Sequence, residues 1–370
     1  MTPGVRLATA SLHTPFGRRI DQTVAALRAG QLVPRRGLPA FPSLKREGLV
    51  GALHPDTFTP SPSGLRAALL HVASEALDGL EGKDPWLVIG TSGVLFLGEY
   101  AHEAQEWLGS CGDVADELAG ALGLCAPPLT VSTACSSSAN ALLLAGQALE
   151  REERTAVLVV GVEALSPAVM EGFASLMLWD PEGCRPFDRR RSGLHLAEAL
   201  GAQGLTRLAS VAHAHGAILL GGAHVCAAMG PGGLASDAEA MFAVMDQALK
   251  TACREPRDVV AIKAHGIGTV DADRAEAQAI QRLYGHVPPI TSLKGVLGHT
   301  LGASGVVETA AFAACLDAGF IPATVGFVEE DPEFLLRPLK APIAAQDGCY
   351  QLNYFGFGAS YVSLVLGWRR

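Results

Sequence analysis

The segment Val131 to Asn140, VSTACSSSAN, sets one cysteine, Cys135, between a short β-branched run and a helix of small residues that includes Ser136, Ala139, Ala141, Ala145 and Gly146. A lone cysteine is usually a small buried hydrophobe, but at this place it would feel the positive end of a helix. That field and the free N–H groups of the first turn favour thiolate over thiol and can hold a developing oxyanion, a combination suited to thioester chemistry. Two histidines have settings of their own: His265 follows the apolar run VVAIKA and opens HGIGT, and His299 lies in GVLGHTLGASG, a Gly-rich turn ahead of a helix. A histidine at the end of an element among glycines is placed for backbone approach to a ligand, although either one alone also fits a satisfied core histidine. His13, His54, His71, His102 and His286 fall in loops or on polar faces, where a surface role is the default.

The elements that must carry these residues alternate between strand and helix. VRLATASL is followed by a polar helix near Asp21 to Ala29, and the Pro-rich stretch from Val33 to Ser63 reads mostly as loop. LRAALLHVASEALDGL has helical spacing and leads to the strand WLVIGTS; LTVS leads into Cys135 and a helix ending near Glu150; AVLVVGVEAL reads as a buried strand. Ser236 and Glu239 form a capping-box pattern ahead of AEAMFAVMDQALK, and DVVAIKAHG reads as strand into loop. The segment containing His299 repeats the character of the cysteine segment, a Gly/Ser turn and then an Ala-rich helix, before two closing strands, YQLNYF and SYVSLVLGW. Two such halves suggest internal duplication.

A chain of 370 residues with 49% hydrophobic and 18% charged residues suits a compact α/β enzyme, and it is long enough for one large domain of two similar halves. Net charge of -9 and the lack of a basic stripe argue against nucleic acid, and the run Arg189, Arg190, Arg191 reads on charge alone as a solvated surface. No Asp, Glu, Lys or Arg occurs between Leu208 and Ser236, a length that could cross a bilayer, but the interspersed histidines and glycines indicate buried strands. The eight cysteines lack zinc-like spacing, and the N-terminal residues lack a signal-peptide pattern, so reduced thiols, a cytoplasmic location and no metal are expected. GVLGHTLGASG lacks the spacing of a phosphate loop, so no nucleotide site is expected either.

Taken together, TACSSS, CRPFDRRRSG, HGIGTVDADRAEAQAI, SLKGVLGHTLGASGVVE and NYFGFGAS occur in an order that resembles the β-ketoacyl-acyl-carrier-protein synthases of the elongating Cys-His-His type. The resemblance runs from about Val88 to the C-terminus and is weaker before that. It implies a thiolase-like α/β fold, with two βαβ halves layered αβαβα as a single large domain. Residues 1–207 would carry the nucleophile and 208–370 both histidines. The implied activity is decarboxylative Claisen condensation, in fatty acid or specialised polyketide or polyene-type biosynthesis, between an acyl thioester on Cys135 and malonyl-acyl-carrier protein. His265 and His299 would bind the malonyl thioester carbonyl and stabilise the enolate, because neutral imidazole N–H donors lower its energy without quenching the carbanion.

By the same resemblance, the backbone N–H groups of Cys135 and Phe357 form the oxyanion hole, Phe357 gates the acyl pocket, and Lys294 pairs with Glu308. Thr269, Phe355 and Gly358 would contact the substrate; Asp273, Glu276, Asp188 and Arg191 would be structural. No cofactor of the chain's own is implied, since the phosphopantetheine arm belongs to the acyl carrier protein. Partners would be that carrier protein and a second ketosynthase chain, in a homodimer or heterodimer, with neither nucleic acid nor membrane.

Four positions depart from the family pattern: Ile267 stands where a threonine is usual, Ala197 and Ala199 flank Glu198 where glycines are usual, and Ala359 replaces a glycine in the terminal loop. A tight loop with alanine loses some φ > 0 conformations. The segment between PFD and HGIGT is also shorter than usual, which fits a specialised member. The alternatives are a chain-length-factor-like partner subunit and a Cys/His acyltransferase. Retention of Cys135, His265, His299 and Lys294 favours the enzyme over the former. A degradative thiolase fits less well because Cys349, in DGCYQLNYF, is not in a Gly-rich loop.

Overall fold

Strands that are apolar on both faces need helices on both sides, and this chain supplies them in a repeated order. The computed structural model describes residues 4–37, 49–54, 56–59, 61–80, 84–93, 110–180, 182–208, 214–227, 237–334 and 336–370. Ten strands form the large sheet: β1 (Gly4–His13), β2 (Trp86–Gly90), β3 (Leu129–Val131), β4 (Ala156–Glu163), β5 (Ala199–Leu208), β6 (Gly216–Cys226), β7 (Val259–Lys263), β8 (Ile290–Thr291), β9 (Gly348–Gly356) and β10 (Ser360–Arg369). The helices are α1 (Ile20–Ala29), α2 (Pro62–Asp78), α3 (Cys111–Ala121), α4 (Ser137–Glu150), α5 (Pro167–Ser175), α6 (Ala238–Thr251), α7 (Val270–Leu283), α8 (Lys294–Leu297) and α9 (Ser304–Asp317).

The strand order is β3-β2-β4-β5-β1 through one half and β6-β10-β9-β7-β8 through the other. Read from its outer edge, each half has the same order and the same directions. β2 pairs parallel with β3 and β4, and β5 pairs antiparallel with β4 and β1. Likewise β7 pairs parallel with β8 and β9, and β10 pairs antiparallel with β9 and β6. The seam between halves is short: Val5 with Leu219 and Arg6 with Ile218.

The equivalent helices α4 and α9 form the central layer, each touching strands of both halves, with α2 and α3 outside one half and α6 and α7 outside the other. This is the expected αβαβα layering. Helices α4 and α9 are apolar or small-sided almost all round, as a helix enclosed by protein must be. Their axes approach so closely that a Cβ on Gly305 would lie 2.0 Å from the backbone nitrogen of Ala139.

Within the Pro-rich stretch the described residues are mainly loop, with Arg36–Gly37 and Leu49–Val50 paired as a short ribbon. The charge-free segment contains β6, paired on both sides, and no described helix is long and apolar enough to cross a membrane. Two local expectations change. Asp237, not Ser236, caps α6, accepting from the N–H groups of Glu239 and Ala240, while Ser236 lies outside the described residues. His13 is no surface residue: it closes β1 fully buried, its Nε2 3.0 Å from Thr57 Oγ1, and burial lowers its pKa to about 4. His102 lies outside the described residues.

Candidate active site

The turn between β3 and α4 aims Cys135 into the molecule. Ala134 takes a left-handed φ of 51°, which reverses the chain sharply and leaves Cys135 buried in an apolar cluster with Met170, Leu165, Leu301 and Ile267. Thr133, Ser136, Asn140 and Ser360 brace the turn. Ser136 Oγ reaches Ser360 Oγ at 3.0 Å and the Thr133 carbonyl at 2.8 Å, and Asn140 Nδ2 donates to Thr133 Oγ1 at 2.8 Å. Ser136, and Ser138, which accepts from the Val306 N–H, thus fasten the halves, whereas Ser137 closes the turn locally.

The expected thiolate is corrected by this environment. Burial pushes the Cys135 thiol up to about 12, against the smaller opposing pull of the N–H groups of Phe357 and of Cys135 itself. Helix α4 begins only at Ser137, and the N–H groups of Ser136 and Ser137 are already given to the carbonyls of Thr133 and Ala134. Desolvation outweighs the helix end, so the resting group is a thiol. The N–H groups of Cys135 and Phe357, one from each half, both act on the sulfur.

From the second half His299 reaches this thiol, and His265 stands beside His299. His299 Nε2 lies 3.2 Å from Cys135 Sγ, and the His265 ring stands edge-on to the His299 ring with centroids 5.7 Å apart. His299 is held by strand-like pairing with the first half: its N–H donates to the His195 carbonyl at 2.7 Å, and its own carbonyl accepts from Ala197 at 3.0 Å. Gly298, at φ 71°, permits the approach, since a Cβ there would lie 2.5 Å from Ala197 Cβ. Burial, then the neighbouring Lys294, hold both imidazoles well below their usual pKa, so both are neutral at pH 7. One nitrogen of His265, Nδ1, is buried without a hydrogen-bond partner.

The loop after β7 is shaped by two buried carboxylates. Glu276 accepts from the N–H groups of His265 and Gly266, both at 2.8 Å, and Asp273 from those of Phe187, Ile267 and Gly268. Asp188 similarly holds the N–H groups of Val328 and Glu329, and Arg191 is buried against Asp331 at 2.5 Å. The three-arginine run is thus only partly surface: Arg191 belongs to the interior, whereas Arg189 and Arg190 are exposed.

Beneath the histidines, Lys294 and Glu308 are paired, both fully enclosed. The sequence reading missed their third member. Lys263, the last residue of β7, donates to the other oxygen of Glu308 at 2.7 Å and to the Asn353 carbonyl at 2.8 Å, and lies 3.6 Å from the centre of the Tyr354 ring. A lysine ending an apolar strand was a usable signal, because a charge there needs a buried partner. Glu163 was also missed; it ties the Ser92 and Gly302 N–H groups together at the thiol's other side, and burial raises its pKa to about 7.

The other residues singled out from the sequence lie as follows. Phe355 packs against His265 with centroids 5.7 Å apart; Phe357 stacks on Phe173 of α5 at 5.5 Å; Thr269 is the buried N-cap of α7; Gly358, at φ 73°, turns the terminal loop. The departures are accommodated. Ala359 takes φ 55° despite its methyl, Ala197 leans on Gly298, and Ile267 lies in the same apolar cluster as Cys135. Among the described residues there is no cluster suited to a metal ion, and all eight cysteines are free.

This geometry agrees with what the chain is similar to. Residues 108–210 match the model of the β-ketoacyl synthase N-terminal domain and residues 217–328 that of the β-ketoacyl synthase C-terminal domain. Over 268 residues, 68% of the chain, it is 36% identical to the ketoacyl synthase alpha subunit of the tetracenomycin polyketide synthase of Streptomyces glaucescens. Over 259 residues, 65% of the chain, it is 33% identical to 3-oxoacyl-(acyl-carrier-protein) synthase 2 of Mycobacterium bovis. The matches span 61% and 60% of those relatives' own lengths. A solved β-ketoacyl synthase from Burkholderia phymatum superposes with a TM-score of 0.84 at 25% identity, covering 99% of this chain and 100% of that one. With both domain models matched in order across a duplicated α/β fold, and Cys135, His265 and His299 converging where the halves meet, the chain belongs to the β-ketoacyl synthase family.

Proposed function

We propose that the chain is a β-ketoacyl synthase that extends an acyl thioester on Cys135 by decarboxylative condensation with a malonyl group carried on acyl carrier protein. The observation that carries this is the 3.2 Å contact between Cys135 Sγ and His299 Nε2 beside a second neutral histidine. In the first stage Cys135 attacks the incoming acyl thioester. His299 takes the Sγ proton and returns it to the departing phosphopantetheine thiol, so the ring ends neutral. Moving the proton to Nε2, 3.2 Å away, as the sulfur attacks avoids a free thiolate, which burial disfavours.

In the second stage the bond from the malonyl α-carbon to its carboxylate breaks, carbon dioxide leaves, and the electron pair enters the enolate. Imidazole N–H groups of His265 and His299 hold the enolate oxygen. Because both rings are uncharged and buried, they stabilise the anion without protonating its carbon. The α-carbon attacks the acyl-Cys135 carbonyl, the oxyanion rests on the N–H groups of Cys135 and Phe357, and collapse breaks the C–S bond and releases a β-ketoacyl carrier thioester. The sulfur leaves as thiolate and takes one proton from solvent water, replacing the one that departed with the pantetheine thiol in the first stage.

The pantetheine arm arrives with its carrier, so no cofactor resident in the chain is required. Thr269, Phe355 and Gly358 contact the arriving substrate, and Phe357 on Phe173 gates the acyl pocket. A cytoplasmic location and pairing with a second ketosynthase chain complete the reading. The relatives' names support carriage on acyl carrier protein and both fatty acid and polyketide settings. Intact-protein mass spectrometry after incubation with a series of acyl carriers tests the proposal. An acyl adduct on the wild type and none on Cys135→Ala are expected, and Cys135→Gln should still release carbon dioxide from malonyl carrier protein. Condensation surviving in Cys135→Ala would overturn it.

A further inference from the structure

One histidine of the charge-free segment takes no part in the chemistry described above. His224, near the end of β6, is exposed, yet its Nε2 lies 3.0 Å from the hydroxyl of Ser360, the first residue of β10. The register explains the contact: His224 is paired with Val362, so Ser360 is its diagonal neighbour on the same face, within reach of a ring. Ser360 Oγ in turn meets Ser136 Oγ at 3.0 Å, and Ser136 Oγ meets the Thr133 carbonyl at 2.8 Å. The polarity of this row is set at one end. A carbonyl only accepts, so the hydroxyl hydrogen of Ser136 goes to Thr133. The hydrogen between Ser136 and Ser360 then comes from Ser360, and the one between Ser360 and His224 comes from Nε2. His224 is the donor that starts a one-way row, and the row ends on the two residues, Thr133 and Ser136, that bracket the Cys135 turn.

We propose that His224 is a positioning residue: its Nε2–H turns the Ser360 hydroxyl toward Ser136 and so holds the terminal loop, Phe357–Ala359, in register with the turn that carries Cys135. The inference rests on the condensing reading above, and it concerns the acyl-transfer steps, in which the oxyanion rests on the N–H groups of Cys135 and Phe357. Loop and turn are joined directly. Gly356 and Ser360 pair with each other at the base of the loop, so fixing Ser360 fixes the hairpin that presents Phe357. Gly356 packs on the same turn, where a Cβ would lie 3.1 Å from the Thr133 carbonyl oxygen and 3.2 Å from Ser136 N and Oγ. Just past β6, the Ala227 N–H donates to the Ala359 carbonyl at 3.1 Å, so this strand grips the loop by its backbone at Ala359 and by a side chain at Ser360. The imidazoles that receive the enolate are held by other means: His265 by Glu276, and His299 by His195 and Ala197. Cutting the row at His224 therefore loosens the oxyanion site and leaves the enolate site in place.

The test reads two rates separately: acylation of Cys135 by an acyl carrier, and carbon dioxide release from malonyl carrier protein in the Cys135→Gln background. Four variants are compared: His224→Leu, of similar size without a donor; His224→Gln, whose amide nitrogen is as many bonds from Cα as Nε2; Ser360→Ala; and His224→Leu combined with Ser360→Ala. His224→Leu should slow acylation about tenfold, the effect of one lost hydrogen bond on a barrier, while carbon dioxide release stays within about twofold. His224→Gln restores the donor and should bring acylation to within about threefold of wild type. On Ser360→Ala, adding His224→Leu should slow acylation by no more than about a further twofold, because the row is already cut. Unchanged acylation in His224→Leu, a His224→Gln as slow as His224→Leu, equal losses in the two rates, or a full additional loss on Ser360→Ala would each overturn the inference. Should the wild type take no acyl group on Cys135, the condensing reading fails instead, which is a distinct result.

Discussion

The two halves share strand order, strand direction and a buried central helix, yet the chemistry is divided unequally between them. At the start of α4 the first half presents a single reactive atom, Cys135 Sγ, braced by neutral hydroxyls and an amide. Around α9 the second half presents Lys263, His265, Lys294, His299 and Glu308. One half presents the thiol and the other the charged and imidazole groups. A duplicated scaffold makes this division economical: the short seam places two equivalent helix starts face to face, so each can specialise while the other completes the site. The fastening crosses in both directions, His299 being held by His195 and Ala197, and the Cys135 turn by Ser360.

The largest test of this asymmetry is Glu308→Ala. It leaves two enclosed ammonium groups without their carboxylate, and denaturant unfolding should show a loss of about 3–5 kcal/mol. A loss under about 1 kcal/mol would mean that charge is not what organises the second half. Next is the thiol. With its pKa raised to about 12 by burial, alkylation of Cys135 by iodoacetamide should rise about tenfold per pH unit between about pH 7 and 9, as the thiolate fraction does. A rate already level across that range would show that the helix end prevails over desolvation and that the first half carries a charge after all. The smallest effect is expected at Ala359→Gly. The left-handed strain relieved is worth about 1–2 kcal/mol and is partly offset by the entropy glycine adds to the unfolded chain, for a net gain of about 0.5 kcal/mol in chemical unfolding. A net loss there would show that the methyl's packing outweighs the strain.

Much of this arrangement was legible in residue order. The apolar runs AVLVVGVE and VVAIK could only be enclosed strands, and the small residues after Cys135 and His299 required helices with close neighbours. Other elements left no such trace. β5, ALGAQGLTRL, has glycines where a strand pattern should alternate, and it is a strand because β4 and β1 hydrogen-bond both its edges. α5 is a nine-residue helix opened by Ser166 and Pro167, too short to show a period, yet it brings Phe173 onto Phe357. Lys263 was visible as a charge at the end of an apolar strand, but its partner lies 45 residues away on α9, a distance that spacing does not reveal.

Residue types and their order determined which groups react, because a thiol, two imidazoles and a paired ammonium each carry their chemistry wherever they are placed. Tertiary structure alone decided how those groups behave. Enclosure turned the expected thiolate into a thiol, kept both imidazoles uncharged, and set a second lysine against Glu308. The reason is that the free energy of a charge depends on the water removed from it and on the charges brought near it, and both are properties of the packed halves.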